Sequence, residues 1–352
     1  MSTIQIANKR IGIAQRCYLI AEAGVNHNGD LERALSMVDA AAAAGADAVK
    51  FQTFSVDELI LASVEKAPYQ RVSGPTGQTQ TEMLDSLCID ETFHRKVMAR
   101  CHEAGVTFLS TPYGTSSLQF LLNLDVPAIK VASTDATNTL FLEQVAQSGR
   151  PMILSTGMCS LEDIVRSVRT VRNAGCTELV LLHCTSSYPT APSEVNLRCL
   201  DTLRLFDDVI VGYSDHTEGV GASTYAVARG AHVVEKHFTL DKNLPGPDHQ
   251  ASLDPRELRA WVAEVRKVEE MLGDSLRQPS TSEQETALTL QKRLVTATDV
   301  AAGECLDSNK VTAKRTGGVG LPAGLGLDLL GCRTAVAIQK DTPILWKHLI
   351  EE

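Results

Sequence analysis

The feature that most restricts this chain is a regular alternation. Short apolar, β-branched runs are separated by amphipathic or alanine-rich stretches of helical period. The runs are Tyr18–Ala23, Ala48–Gln52, Thr107–Ser110, Ala128–Ala132, Met152–Ser155, Leu179–His183, Val209–Tyr213 and Val233–Lys236. Between them lie helical patterns such as Leu31–Ala44, Glu91–Ala104, Leu161–Asn173 and Pro255–Leu272. Several of these end just before a glycine, as at Gly45, Gly105 and Gly230, where a left-handed residue closes a helix. Eight β-then-α units in succession predict a parallel sheet closed into a TIM (β/α)8 barrel. An open doubly wound sheet is the alternative. It calls for a glycine-rich fingerprint after the first strand, which Ala23-Gly-Val-Asn-His-Asn-Gly29 lacks.

Three segments stand outside this alternation. Thr3–Ile13, turning at Asn8-Lys9, reads as a hairpin able to plug the barrel floor. Thr53–Leu84 is too long for a connector, and loops of that length serve as lids or binding loops. Composition turns polar at Ser275–Glu285, which sets a barrel domain at 1–274, a linker at 275–290 and a β-rich module at 291–352. A module of ~60 residues is near the lower size for folding alone, so it is expected to lean on a partner surface.

Composition removes several function classes. The formal net charge is −10, from 33 basic and 43 acidic residues, so no basic footprint for nucleic acid exists. No run of ~18 uncharged apolar residues occurs, so no membrane span is expected. Met1–Arg16 lacks the apolar region of a signal peptide. The 9 cysteines are scattered without any C-x-x-C, which suggests neither a disulfide framework nor a zinc knuckle. The cytoplasm is the expected compartment.

In such a barrel the chemistry sits at the C-terminal ends of the strands. Successive strand ends carry Glu22, then Lys50 and Gln52, then Thr111, then Lys130, Ser133 and Asp135. The remaining four carry Ser155; Ser186 and Tyr188; Ser214 and His216; and Glu235, Lys236 and His237. Two lysines within a ring of hydroxyls describe a phosphate site, although any one strand-end Ser or Thr also suits a helix cap. His216 and His237 end adjacent strands and are the candidate metal ligands, with Glu22 and Asp135 able to add oxygen. Two imidazoles with carboxylate and water suit Mn2+, Co2+ or Zn2+. His27, at the tip of the first loop, fits a functional and a structural reading equally. His94 is placed on a solvent-facing helix. A Schiff-base aldolase using Lys130 or Lys50 is a competing reading, opposed by the way a nearby phosphate keeps both lysines protonated.

These residues also carry a resemblance. Glu22-Ala-Gly-Val-Asn-His-Asn-Gly29, Val49-Lys-Phe-Gln-Thr-Phe54, Ser110-Thr-Pro112, Ile153-Leu-Ser-Thr-Gly-Met158, Gly212-Tyr-Ser-Asp-His216, Glu235-Lys-His-Phe-Thr-Leu-Asp241 and Gly246-Pro-Asp-His249 are similar to the sialic acid synthase family. The last module, with Ala313-Lys-Arg-Thr-Gly317, resembles that family's antifreeze-like (SAF) domain, of β-clip type. The resemblance runs from about Ala21 to Lys347. It implies condensation of phosphoenolpyruvate with an N-acetylated mannose-type aldehyde, giving a nine-carbon 2-keto-3-deoxy acid and phosphate. It implies that Lys50, Thr111, Lys130, Ser133, Ser155, Ser186 and Ser214 hold phosphoenolpyruvate. His216 and His237 would bind a divalent metal, Mn2+ first, with Mg2+ or Co2+ as alternatives. Glu22 and Asp135 would be the acid/base carboxylates. Gln52, Tyr188 and Asp248 would meet the sugar, joined by Arg315 from the other subunit of a domain-swapped homodimer.

Asp135, Ser186 and the lid near Ser73 depart from the Glu, Asn and Asn of many bacterial members. Asp135 and Cys184-Thr-Ser-Ser-Tyr188 are closer to the animal-type variant. N-acetylmannosamine leads as the sugar. A 2,4-diacetamido-trideoxy sugar of the legionaminic or pseudaminic type, or another surface or spore-coat polysaccharide precursor, is the alternative. An inactive carbohydrate-binding scaffold is a further alternative, but it would be expected to have lost a lysine, a metal histidine or Glu22, and all are present.

Overall fold

A computed structural model describes residues 3–61, 63–64 and 79–350, so the lid position around Ser73 lies outside the described residues. The chain divides into two units, Met1–Gly273 and Asp274–Glu352. The first opens with an antiparallel hairpin, β1 (Thr3–Ile6) and β2 (Lys9–Gly12), turning at Ala7 and Asn8. Eight strands follow: β3 (Tyr18–Gly24), β4 (Ala48–Thr53), β5 (Thr107–Pro112), β6 (Ile129–Val131), β7 (Met152–Ser155), β8 (Leu179–His183), β9 (Val209–Asp215) and β10 (Val233–His237).

They form one parallel sheet in the order β5-β4-β3-β10-β9-β8-β7-β6, and the two end strands, β5 and β6, lie side by side. Strand order therefore follows chain order around a circle, with β10 paired to β3. An open doubly wound sheet would instead reverse its order at a switch point. The fold is a TIM-type barrel followed by a small β-rich unit.

Alternation along the strands sorts the interior into layers. Tyr18, Ile20, Ala48, Leu109, Ala128, Ile153, Val180, Leu182, Ile210 and Val233 form one inner cluster, and Ile4, Ile6 and Ile11 of the hairpin are buried in it. The hairpin thus seals the floor with isoleucines. Residues two further along keep the inward phase of a strand. These are Glu22 after Ile20, Lys50 after Ala48, Thr111 after Leu109, Lys130 after Ala128, Ser155 after Ile153 and Glu235 after Val233. The same geometry that buries an apolar floor therefore aims a polar layer into the barrel just above it.

The opposite phase (Leu19, Ala21, Val49, Phe51, Leu154, Leu181, Val211 and Val234) packs against the surrounding helices. Gly45 and Gly105 end the helices Leu31–Ala44 and Glu91–Ala104 at φ 86° and 72°. His94 is a correction to the reading from periodicity. It is buried, with Nε2 2.8 Å from Thr53 Oγ1 and Nδ1 2.8 Å from the Asp90 carbonyl. It shares the inward stripe of its helix with Val97 and Cys101.

Within the long segment after β4, helices Val56–Leu59 and Gln80–Asp85 are described. Phe54, Met83, Leu84 and Leu87 gather with Val25 in a separate small core.

The second unit has its own core of Leu294, Val300, Leu306, Leu321, Leu329 and Ile344. Its strands β11 (Lys292–Thr296) and β12 (Val311–Arg315) pair antiparallel, with Lys292 opposite Arg315. Much of the expected linker is helical, Thr281–Leu290. Its start is a capping box in which Ser280 and Glu283 satisfy each other's backbone N–H groups, a signal hidden inside a polar, serine-rich stretch.

Candidate active site

A cavity of about 500 Å3 opens at the C-terminal ends of the barrel strands. Glu22, Lys50, Gln52, Thr111, Lys130, Ser133, Ser155, Ser186, Tyr188, Ser214, His216, His237 and Asp248 all line it. Two expected site residues do not. Asp135 is turned aside by the 3-10 turn Ser133–Asp135, and its carboxylate accepts from Asn138 Nδ2 at 3.1 Å. Arg315 lies in the second unit, exposed at the end of β12.

Four buried charges occupy the cavity's inner layer. Lys50 forms an ion pair with Glu22, and its Nζ is 3.6 Å from Glu235 Oε2. Lys130 Nζ is 3.6 Å from Glu235 Oε1 and donates to Ser155 Oγ at 2.8 Å. Lys50 also donates to Thr111 Oγ1 at 3.3 Å. Glu235 therefore bridges the two ammonium groups, and it further accepts from Ser214 Oγ at 3.0 Å. Reading strand ends placed Glu235 at the mouth but gave it no role. The signal was present, since it stands between Val233 and His237 on the inward phase of β10.

The two carboxylates are driven apart by their surroundings. Burial raises Glu22 well above the ordinary carboxylate range, against the pull of Lys50. Burial also opposes ionisation of Glu235, but Lys130 and Lys50 together overcome it and hold that group below its usual value. Two titratable groups pushed in opposite directions are the arrangement that separates an acid from a base. Each turns a buried carboxylate oxygen, Oε2, toward Lys50.

On the opposite side of the mouth, Ser133 Oγ accepts from the Gly157 N–H at 3.0 Å. A Cβ at Gly157 would strike Ser133 Oγ and Ser186 Oγ, so only glycine lets both hydroxyls approach the backbone there.

His216 and His237 stand with ring centroids 5.6 Å apart, and Tyr188 lies 4.3 Å from the His216 ring. His216 Nδ1 donates to the Thr185 carbonyl at 2.7 Å. His237 Nδ1 is buried without a hydrogen-bond partner among the described residues and lies 3.9 Å from Asp248 Oδ2. Burial lowers both imidazole pKa values, so the rings are neutral, the form that binds a metal. These two side chains suit a divalent cation. Among the described residues no group of three or more such donors occurs, so water or substrate oxygens would complete the shell.

His27 lies outside the cavity lining. Its ring packs 5.2 Å from Phe93 and 6.0 Å from Phe51, and Nδ1 accepts the Gly29 N–H at 3.0 Å. The ring is buried away from that lining.

Comparison with known proteins meets this geometry. Residues 37–277 match the sequence model of the NeuB family, which spans most of the barrel unit. The chain belongs to the NeuB family. Among its relatives is the N,N'-diacetyllegionaminic acid synthase of Legionella pneumophila, 40% identical over 342 residues, covering 96% of each chain. The N-acetylneuraminate-9-phosphate synthase of Homo sapiens is 34% identical over 336 residues, covering 95% of this chain and 93% of that one. The crystal structure of N-acetylneuraminic acid synthetase from Leptospira borgpetersenii superposes with a TM-score of 0.72 at 34% identity, covering 81% of this chain and 95% of that one. This NeuB-family chain is a phosphoenolpyruvate-dependent synthase of the sialic acid type. No helix among the described residues is long and apolar enough to cross a membrane.

Proposed function

We propose that this synthase condenses phosphoenolpyruvate with a 2,4-diacetamido-2,4,6-trideoxy aldehyde sugar, giving a legionaminic-type nine-carbon 2-keto-3-deoxy acid and phosphate. The observation that carries the reaction is the convergence of Lys50 and Lys130 with Thr111, Ser155 and Ser214 in one buried layer. Ammonium groups would neutralise the phosphate and carboxylate of phosphoenolpyruvate, while the hydroxyls donate to its oxygens. Ser133 and Ser186 extend that cradle. The choice of sugar rests on the relatives. The Legionella protein, named for a diacetamido product, is 40% identical, against 34% for the human N-acetylneuraminate-9-phosphate synthase. That favours the diacetamido sugar over N-acetylmannosamine.

In this reading Glu22, kept near neutrality by burial, delivers a proton to the oxygen of the reacting aldehyde. Glu235 stays ionised between its lysines, where it stabilises positive charge at the phosphate-bearing carbon and orients water toward it. Gln52, Tyr188 and Asp248 meet the sugar. Asp135, turned away from the cavity, acts at most through Asn138. His216 and His237 would hold a divalent cation, Mn2+ first, which supplies Lewis-acid polarisation of a carbonyl when bound. We extend the proposal to a homodimer in which Arg315 of one chain serves the barrel mouth of the other. The likeness of the second unit to the antifreeze-like module supports this, through Ala313-Lys-Arg-Thr-Gly317.

Turnover in 18O-labelled water tests the reaction. Carbon–oxygen cleavage of phosphoenolpyruvate puts the label in the keto acid and leaves inorganic phosphate unlabelled. Label in phosphate, or a borohydride-trapped adduct at Lys130, would replace the proposal with phosphorus–oxygen cleavage or Schiff-base chemistry.

A further inference from the structure

One buried lysine stands outside the proposed chemistry. Lys236 lies between Glu235 and His237 on β10, yet it follows Val234 by two residues and so takes the outward phase. Asp215, its register partner on β9, takes that phase after Tyr213. Both side chains are 1% exposed, and neither lines the cavity. Elsewhere this outward layer is apolar, as at Ala21, Phe51, Leu154 and Leu181. A buried ion pair there is weak evidence for stability, because desolvating two charges offsets their attraction. Its contacts converge on the candidate metal ligands instead. Lys236 Nζ lies 3.2 Å from Asp215 Oδ1 and donates to the Thr217 carbonyl at 2.6 Å. Those two residues flank His216, and Lys236 itself precedes His237. Asp215 in turn accepts from the backbone N–H groups of Thr217 and Ser223, both at 2.9 Å. That ties the turn after β9 to the start of the helix Ser223–Ala228. The His216 ring has its own acceptor in the Thr185 carbonyl, but Nδ1 of His237 has no hydrogen-bond partner among the described residues. Placement of His237 therefore depends on its backbone.

We infer that Lys236 is a positioning residue: its ammonium grips both neighbours of His216 while its backbone carries His237, and so it fixes the spacing of the two imidazoles. The inference rests on the reading of His216 and His237 as ligands of a divalent cation. A cation held by two side chains tolerates little change in their separation. Groups that orient metal ligands from behind govern affinity by about 10- to 100-fold. Methionine is close to lysine in length and flexibility, so at position 236 it fills the same space without holding the two oxygens.

The test measures binding of Mn2+ alone and of phosphoenolpyruvate alone to the full chain by titration calorimetry. Lys236→Met should weaken Mn2+ binding by about tenfold or more and leave phosphoenolpyruvate within about twofold. Removing one partner of a buried pair strains the fold, so Lys236→Met combined with Asp215→Asn, which leaves no unpaired buried charge, is measured alongside. It should show the same selective loss. Unchanged Mn2+ affinity in a folded variant would overturn the inference. Equal weakening of Mn2+ and phosphoenolpyruvate would overturn it too, since a pair that only supports the fold acts on both. If neither variant folds, the pair belongs to the fold and the assignment falls. A wild-type chain that binds no Mn2+ would defeat the ligand reading itself, and the inference with it.

Discussion

Nδ1 of His216 points at the carbonyl oxygen of Thr185, 2.7 Å away, so the ring's proton is held on that side and Nε2 is left as its lone-pair atom. A backbone acceptor thereby fixes the tautomer that a metal ligand needs. EDTA should abolish product formation and Mn2+ should restore it. His216→Ala should lower kcat by about 100-fold or more. Undiminished turnover in protein shown by elemental analysis to be metal-free would defeat this assignment. His94→Ala is not a silent control, because that ring is buried against Thr53.

Glu235 offers a second measurement. It is the shared counter-ion of Lys50 and Lys130, so Glu235→Gln deprives Lys130 of its counter-ion and leaves Lys50 paired with Glu22 alone, while removing an ionised carboxylate from the reacting centre. The expected result is a kcat lower by about 100-fold with no rise in KM for phosphoenolpyruvate. A higher KM at unchanged kcat would reduce Glu235 to a binding residue.

Stability should fall in mild acid through His27. Burial lowers its pKa from 6.5 to about 4, so between those values the unfolded chain takes up a proton that the folded chain refuses. The contribution is therefore complete above pH ~6.5 and is lost as pH falls toward ~4, amounting to about 3 kcal/mol. His249 is lowered to about 4 as well, chiefly by burial, and shares the effect. Urea unfolding at pH 7.5 and 5.0 should show a shallower loss in His27→Asn, whose amide oxygen can still accept the Gly29 N–H. Equal slopes in the two proteins would exclude His27 as a contributor.

The homodimer proposal has its own readout. Arg315→Ala and His216→Ala chains should each be nearly inactive. Equal mixing with subunit exchange should restore about a quarter of wild-type activity, since half the dimers then carry one intact site. Exchange demonstrated by native mass measurement without that recovery would rule the arrangement out.

Much of the barrel was legible because each strand is a short β-branched run, and its inward phase can be counted from the sequence. Lys50 and Lys130 follow inward alanines by two residues, and a step of two keeps a side chain on the same face. Counting failed where a strand ended. Asp135 follows Val131 by only four residues, yet the intervening 3-10 turn rotates it away from the mouth. The helix at Thr281–Leu290 escaped notice because its side chains are mostly exposed and leave no apolar stripe to read. The apolar wall of the cavity was also out of reach, since Phe54 and Met83 line it but meet only through tertiary packing across a long loop.

The isoleucine-filled hairpin under the barrel has a kinetic consequence. Among the described residues it closes the floor of the chamber, with the lysines in the layer above that floor and the apolar wall in the cavity lining. On the proposed reaction, phosphoenolpyruvate has to enter before the sugar parks above it, and inorganic phosphate leaves only after the nine-carbon acid has backed out. First in is last out, so phosphate should inhibit competitively against phosphoenolpyruvate and not against the sugar. That queue is imposed by three buried side chains, Ile4, Ile6 and Ile11, that touch neither substrate.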